Sequence, residues 1–237
     1  MAETLSVSSR FNGPTGRAQG GYTSAAIARL IDGQAEVSLR SPVPLETELD
    51  VARGEDGSVR VLGGETLIAE ASPIPALELD VPDPVSPDQA AAAKERYRGS
   101  TDDLFSHCFV CGVAREDSLG VFAGAVDGRA LVASPWTPPA WTADESGRVR
   151  PEFLWAVMDC PSYFAVYPDE QPMSFLARMT ARVEAPVTVG DEHVVFSWPI
   201  SADGRKRTAG AAVLSGAGDV LATARVLMIE PREAARP

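Results

Sequence analysis

Apolar and polar positions along this chain follow two periods, and the two periods occur in the same order twice. A helix-like apolar run opens at Gly20-Gly21-Tyr22 and ends near Asp32, and another covers Leu154 to Val166. Segments with the period-2 alternation of half-buried strands follow each run. In the first half these are Glu36 to Leu39, Glu48 to Ala52, Ser58 to Leu62 and Thr66 to Ala71. In the second half they are Met173 to Glu184, Glu192 to Ser201, Lys206 to Leu214 and Val220 to Ile229. Turn residues at Gly54-Glu55-Asp56-Gly57, Asp203-Gly204 and Gly216-Ala217-Gly218 fall between strands, as hairpins require. Ser41-Pro42-Val43 matches Ala185-Pro186-Val187 after the first strand of each set, and Ala69-Glu70-Ala71 matches Ala222-Thr223-Ala224 in the last. The pattern predicts a repeated α+β unit, in which a meander of antiparallel strands wraps one helix.

Between the repeats the composition changes. Prolines stand at 73, 75, 82, 84 and 87, and a short helix is predicted after Ser86. Ser86 reads as its N-cap, Pro87 as its first residue, Gln89 as the reciprocal partner of a capping box and Gly99 as its stop. The chain therefore divides into an N-terminal repeat (1–72), a Pro-rich linker with a short helix (73–105) and a C-terminal repeat (106–237). A unit of roughly 70 residues buries little core alone, so the two sheets are expected to join edge to edge as a pseudo-dimer.

Composition narrows the function. Hydrophobic residues at 45% and charged residues at 23% are ordinary for a folded domain. With 21 basic against 33 acidic residues the net charge is −12, which repels polyphosphate and argues against a nucleic-acid partner. A small phosphorylated ligand needs a local basic patch, for which Arg205-Lys206-Arg207 is the candidate; a solvated turn is the plainer reading. Three cysteines, Cys108, Cys111 and Cys160, are too few and too unevenly placed for a secreted disulfide framework. No stretch approaches the ~18 apolar residues of a membrane span. Met1-Ala2-Glu3-Thr4 lacks the basic and apolar regions of a signal peptide, so a cytoplasmic location is expected.

The second half carries Cys108-Phe109-Val110-Cys111-Gly112, Ser118-Leu119-Gly120, Ala156-Val157-Met158-Asp159, Val189-Gly190-Asp191, Gly204-Arg205-Lys206 and Gly218-Asp219-Val220-Leu221-Ala222. The first carries Asn12-Gly13, Gly20-Gly21-Tyr22 and Ser41-Pro42-Val43-Pro44-Leu45. Together and in order these resemble the hotdog-fold thioesterase superfamily in its double-hotdog form, over nearly the whole chain. The resemblance implies acyl-thioester chemistry, usually on acyl-CoA, with no cofactor. In the phenylacetyl-CoA-type branch, a His-Gly-Gly precedes the helix and a glycine amide polarises the thioester carbonyl. An aspartate eight residues after the first glycine, from the neighbouring copy, acts as base or nucleophile. Gly20 matches that glycine, but eight residues on stands Ala28. Asp159 matches the aspartate, but eight residues back stands Pro151, which has no N–H. Gln19 replaces the family's histidine. The resemblance thus implies one working site, Gly20 and Gly21 with Asp159, and one dead site, Ala28 with Pro151.

This assignment fits the chemistry of thioester hydrolysis, which needs donors aimed at an oxyanion and an activated water or carboxylate. Amides at a helix N-terminus supply the donors. Asp159, in an apolar stretch, is expected to be partly desolvated, with a raised pKa. Plainer readings stand beside each choice. The glycine pair can be a simple turn, Asp159 a polar-face residue before a break at Pro161, and Glu152 a dipole-compensating residue. Asn12 either orients the substrate or caps a loop. Trp136, Trp141 and Trp155, with the loop Thr137 to Arg150, either cap an acyl pocket or pack the core. His107-Cys108-x-x-Cys111 does not by itself make a metal site, because zinc takes about four ligands and only Cys160 and His193 remain. No metal is expected. The preferred function is an acyl-CoA thioesterase-like hydrolase; the alternative is a non-catalytic acyl-thioester or lipid-binding hotdog protein. Hydratase chemistry ranks last, since neither His107 nor His193 lies near a matching motif. A homodimer of double hotdogs is compatible with either leading reading.

Overall fold

The computed structural model describes residues 3–13, 16–99 and 103–232. Among these, the first half contributes β1 (Thr4–Leu5), α1 (Gly20–Ala28), β2 (Ala35–Leu39), β3 (Leu49–Arg53), β4 (Val59–Gly63) and β5 (Thr66–Pro73). The connecting stretch holds α2 (Pro87–Lys94) and α3 (Asp103–Ser106). The second half contributes β6 (Gly124–Ala125), β7 (Val132–Trp136), α4 (Pro151–Val166), β8 (Phe175–Val183), β9 (His193–Asp203), β10 (Lys206–Ser215) and β11 (Val220–Ile229).

The strands form one sheet in the order β1-β3-β4-β5-β2-β8-β11-β10-β9-β7-β6. Read outward from its centre, the order is the same in both directions: β2 corresponds to β8, β5 to β11, β4 to β10 and β3 to β9. The seam is the antiparallel pair β2–β8, with Val37 opposite Met179. This is the double hotdog, two helix-wrapped sheets joined edge to edge. Backbone hydrogen bonds repeat across the seam. Arg40 and Ser41 both donate to Ile68 O, as Glu184 and Ala185 both donate to Leu221 O. Ala18 donates to Val43 O, as Val149 does to Val187 O. The β4–β5 ladder slips between Val61 and Leu62, as the β10–β11 ladder does between Val213 and Leu214.

The two helices differ in burial. Fourteen of the sixteen residues of α4 are buried, which is why its sequence is apolar on nearly every side. It runs through Pro161 to Val166, so this proline does not end the helix; Ser162 Oγ instead donates to Met158 O in the turn that the proline weakens. α1 is shorter than the run predicted, stopping at Ala28 before two further turns. The capping box at Ser86 and Gln89 forms, but α2 ends at Lys94, well short of Gly99. Its Ala90 and Ala93 pack with Phe196, Trp198 and Leu214 on the face of the sheet away from α4. Strands β1, β6 and β7 were not read from the pattern. β7 is Val-Ala-Ser-Pro-Trp, in which the proline and small residues erase the alternation. No helix among the described residues is long and apolar enough to cross a membrane.

One apolar core runs from Val37 and Ile27 in the first half to Met179 and Phe153 in the second. Met179 is fully buried at the seam. Met179→Ala is therefore expected to destabilise the fold by about 2–5 kcal/mol. Urea unfolding followed by far-ultraviolet circular dichroism and by tryptophan fluorescence should give one coincident transition, shifted to lower denaturant, because both halves share this core.

Candidate active site

The site is built where the first turn of α1 meets the middle of α4. The helices run antiparallel: Gly21 lies against Asp159, and Arg29, just past the end of α1, reaches Glu152 at the start of α4. A Cβ on Gly21 would stand 2.6 Å from Trp155 O and 2.8 Å from Asp159 Cβ. On Gly20 it would stand 2.7 Å from Leu176 Cδ2. Gly21 is thus demanded by the closeness of two helices, while Gly20 is crowded chiefly by the Leu176 side chain of β8.

Two donors from the first half converge on one carboxylate oxygen of the second. Gly21 N–H donates to Asp159 Oδ2 at 2.8 Å, and Gln19 Nε2 donates to the same atom at 2.6 Å. Gln19 is also the N-cap of α1, its Oε1 accepting from Tyr22 N–H at 2.6 Å. Thr23 N–H bonds Gln19 O. Of the first-turn amides this leaves Gly20 N–H without a hydrogen-bond partner among the described residues. Burial pushes the Asp159 carboxyl up to about 7, against the lowering effect of the Gly21 amide, while the Cys108 sulfur adds to the rise.

Asp159, Gln19 and Gly20 open onto a cavity of about 400 Å³. Its apolar wall includes Val43, Phe105, Phe175, Leu176 and Ile229, and Arg17 and Arg40 contribute cationic groups. Arg40 is half-exposed and pairs with Glu70, and the Arg17 guanidinium lies 5.3 Å from the centre of the Phe175 ring.

The pseudo-two-fold carries Gly20, Gly21 and Ala28 onto Pro151, Glu152 and Asp159, and Arg29 onto Cys160. At this second position Arg29 forms an ion pair with the buried Glu152, where the first position pairs a carboxylate with an amide. Glu152 thus has a partner beyond the helix dipole, although its Oε2 has none among the described residues.

Other candidates from the sequence lie away from the cavity. Asn12 caps a loop: its Nδ2 donates to Gly13 O and His107 O, and Arg115 donates to its Oδ1. Trp136 is buried beside His193, 6.2 Å between ring centres. Trp141 packs edge-on to Phe153 with Arg10 above it. Trp155 is buried in the shared core. The loop 137–150 carries the bridge Ala143–Val149, the counterpart of Asn12–Ala18 in the first half, and does not line the cavity. Arg205 donates to Glu230 O, between the lining residues Ile229 and Pro231, but neither it nor Lys206 lines the space.

Sequence reasoning did not assign a role to Arg17, two residues before Gln19, or to Arg40, directly before Ser41-Pro42-Val43, and it set aside the three cysteines that the fold brings together. The sulfurs of Cys108, Cys111 and Cys160 all lie within 4.8 Å of one another, and Cys160 lines the cavity. His193 is elsewhere, its Nε2 3.1 Å from Thr188 O.

No protein family model and no curated protein matches this chain. Solved structures do. A candidate thioesterase from Novosphingobium aromaticivorans superposes with a TM-score of 0.61 over 97% of this chain and 95% of its own, at 13% identity. The tesB protein MAP1729c of Mycobacterium avium subs paratuberculosis gives 0.60 over 97% and 92%, at 14% identity. A hot dog fold protein of unknown function from Alicyclobacillus acidocaldarius gives 0.60 over 97% and 92%, at 12% identity. At these identities the likeness establishes the fold.

Two substitutions test the site's physics. Asp159→Asn keeps one oxygen for both donors and removes the buried ionisable group. The folded pKa of about 7 exceeds the unfolded 3.8, so the wild type loses stability as pH rises through that interval, by up to roughly 4 kcal/mol. The advantage of Asp159→Asn in urea unfolding with a chelator present should therefore be small near pH 4 and reach its full size above about pH 7. Gly21→Ala should cost about 1–3 kcal/mol by overpacking against the α4 backbone, read as a lower midpoint of thermal unfolding.

Proposed function

We propose that this chain hydrolyses acyl thioesters, acyl-CoA in the first place, at a single site between its two halves. The observation that carries the reading is the meeting of the Asp159 carboxylate with the α1 N-terminus at the wall of a largely apolar cavity. The acyl group would lie along Val43, Phe175 and Leu176, with its carbonyl oxygen toward Gly20 N–H and the positive end of α1. Asp159 would take a proton from water as the water oxygen bonds the carbonyl carbon. The C–S bond then breaks and the leaving sulfur takes the proton. Because Gln19 and Gly21 both hold Oδ2, Oδ1 has no donor among the described residues and is the oxygen left to bind water. Arg17 and Arg40 would favour the phosphates of a CoA carrier in an otherwise acidic protein. A cytoplasmic location suits such a substrate.

Hydrolysis of a panel of acyl-CoAs by wild type and Asp159→Asn tests the proposal. Turnover by the wild type, reduced about 10²-fold or more by the substitution, is expected. With a chelator present, kcat/KM should rise with pH through about 7 as the carboxyl loses its proton. Tight binding of acyl-CoA by the wild type without turnover overturns hydrolysis in favour of a thioester-binding protein.

A further inference from the structure

We propose that Cys108, Cys111 and Cys160 form a three-thiolate site for a thiophilic metal ion, zinc in the first instance. The site adjoins the hydrolytic cavity through Cys160, but the proposal stands whether or not the chain turns over thioesters.

Geometry is the first support. Zn–S bonds of about 2.3 Å in a tetrahedron set sulfurs roughly 3.8 Å apart. Cys108 Sγ and Cys160 Sγ are 3.8 Å apart, and no pair in the trio exceeds 4.8 Å. The ligand set is brought together from two distant places, the loop after α3 and the middle of α4.

The loop is also built to hold this shape. Gly112 N–H donates to Cys108 O at 2.8 Å, closing a tight turn around the two cysteines. A Cβ on Gly112 would fall 2.4 Å from Cys108 O and 2.6 Å from Ser106 O, so the turn requires glycine. Cys108 N–H bonds Phe105 O, Phe109 N–H bonds Asn12 O, and Tyr97 Oη donates to Cys111 O. Such anchoring lowers the cost of bringing the ligands together.

The donor set decides which ion fits. A divalent cation would displace the thiol protons to solvent and sit among three thiolates, leaving one net negative charge. Gln19 Nε2, 3.9 Å from Cys160 Sγ, is an available donor to that charge. An all-sulfur set selects soft ions over magnesium or calcium. The fourth position falls to solvent, which reaches Cys160 through the cavity.

Reduced, chelator-treated protein reloaded with Zn2+ should retain one zinc per chain after gel filtration, and bound zinc should shield three thiols from a disulfide reagent. Substituting Co2+ should give a near-ultraviolet thiolate charge-transfer band, weakened by about a third in each single Cys→Ser variant that keeps its wild-type circular dichroism. His193→Ala, distant from the trio, should bind as the wild type does. The shielding is read on the wild type, so it decides the matter even if every cysteine variant misfolds. Thiols equally reactive with and without zinc overturn the proposal. So does a Cys108–Cys160 disulfide forming as readily in zinc as in chelator, which would make the trio a redox pair with a spectator.

Discussion

The structure turns on the contact between the first turn of α1 and one carboxylate of α4. Two helices this close leave no room for a β-carbon at Gly21, and the same closeness delivers a backbone N–H to Asp159 Oδ2. A buried carboxyl is costly unless donors meet it. Here the donors belong to the other half of the molecule, so packing and polar satisfaction are one interaction seen from two sides. Gln19 extends it by capping α1 with its oxygen and holding Asp159 with its nitrogen.

The sheet makes that contact repeatable. The β2–β8 pair fixes the two halves in antiparallel register, with Val37 and Met179 buried at its centre. Each helix is then carried to the same place relative to its own strands, and the helix N-terminus of one half faces the middle of the helix of the other. What differs is chemical. Where one crossing pairs an amide with a carboxylate, the other pairs the Arg29 guanidinium with Glu152.

Much of this was legible from residue order. Period-2 strands, paired turn residues and the two proline landmarks were local signals, and each maps onto a strand or strand end. The capping box at Ser86 and Gln89 was equally local and equally visible. Three features were not. β7 hides because Pro135 and its small neighbours carry no alternation. The role of the tryptophans stayed open because large aromatic rings fill cores as readily as they line pockets; Trp136 and Trp155 are buried. The three cysteines were in view, but their closeness was not, because spacing along the chain does not report distance through space; only the fold brings Cys160 to the Cys108–Cys111 turn.

Joining the halves in one polypeptide has a consequence for how the cleft assembles. In a pair of identical chains the two crossings must be alike, and a substitution in one appears in both. Here covalent linkage makes formation of the cleft independent of protein concentration. It also relieves one crossing of any duty to mirror the other, so Arg29 and Glu152 can serve purely as a clamp while the opposite crossing keeps its acid.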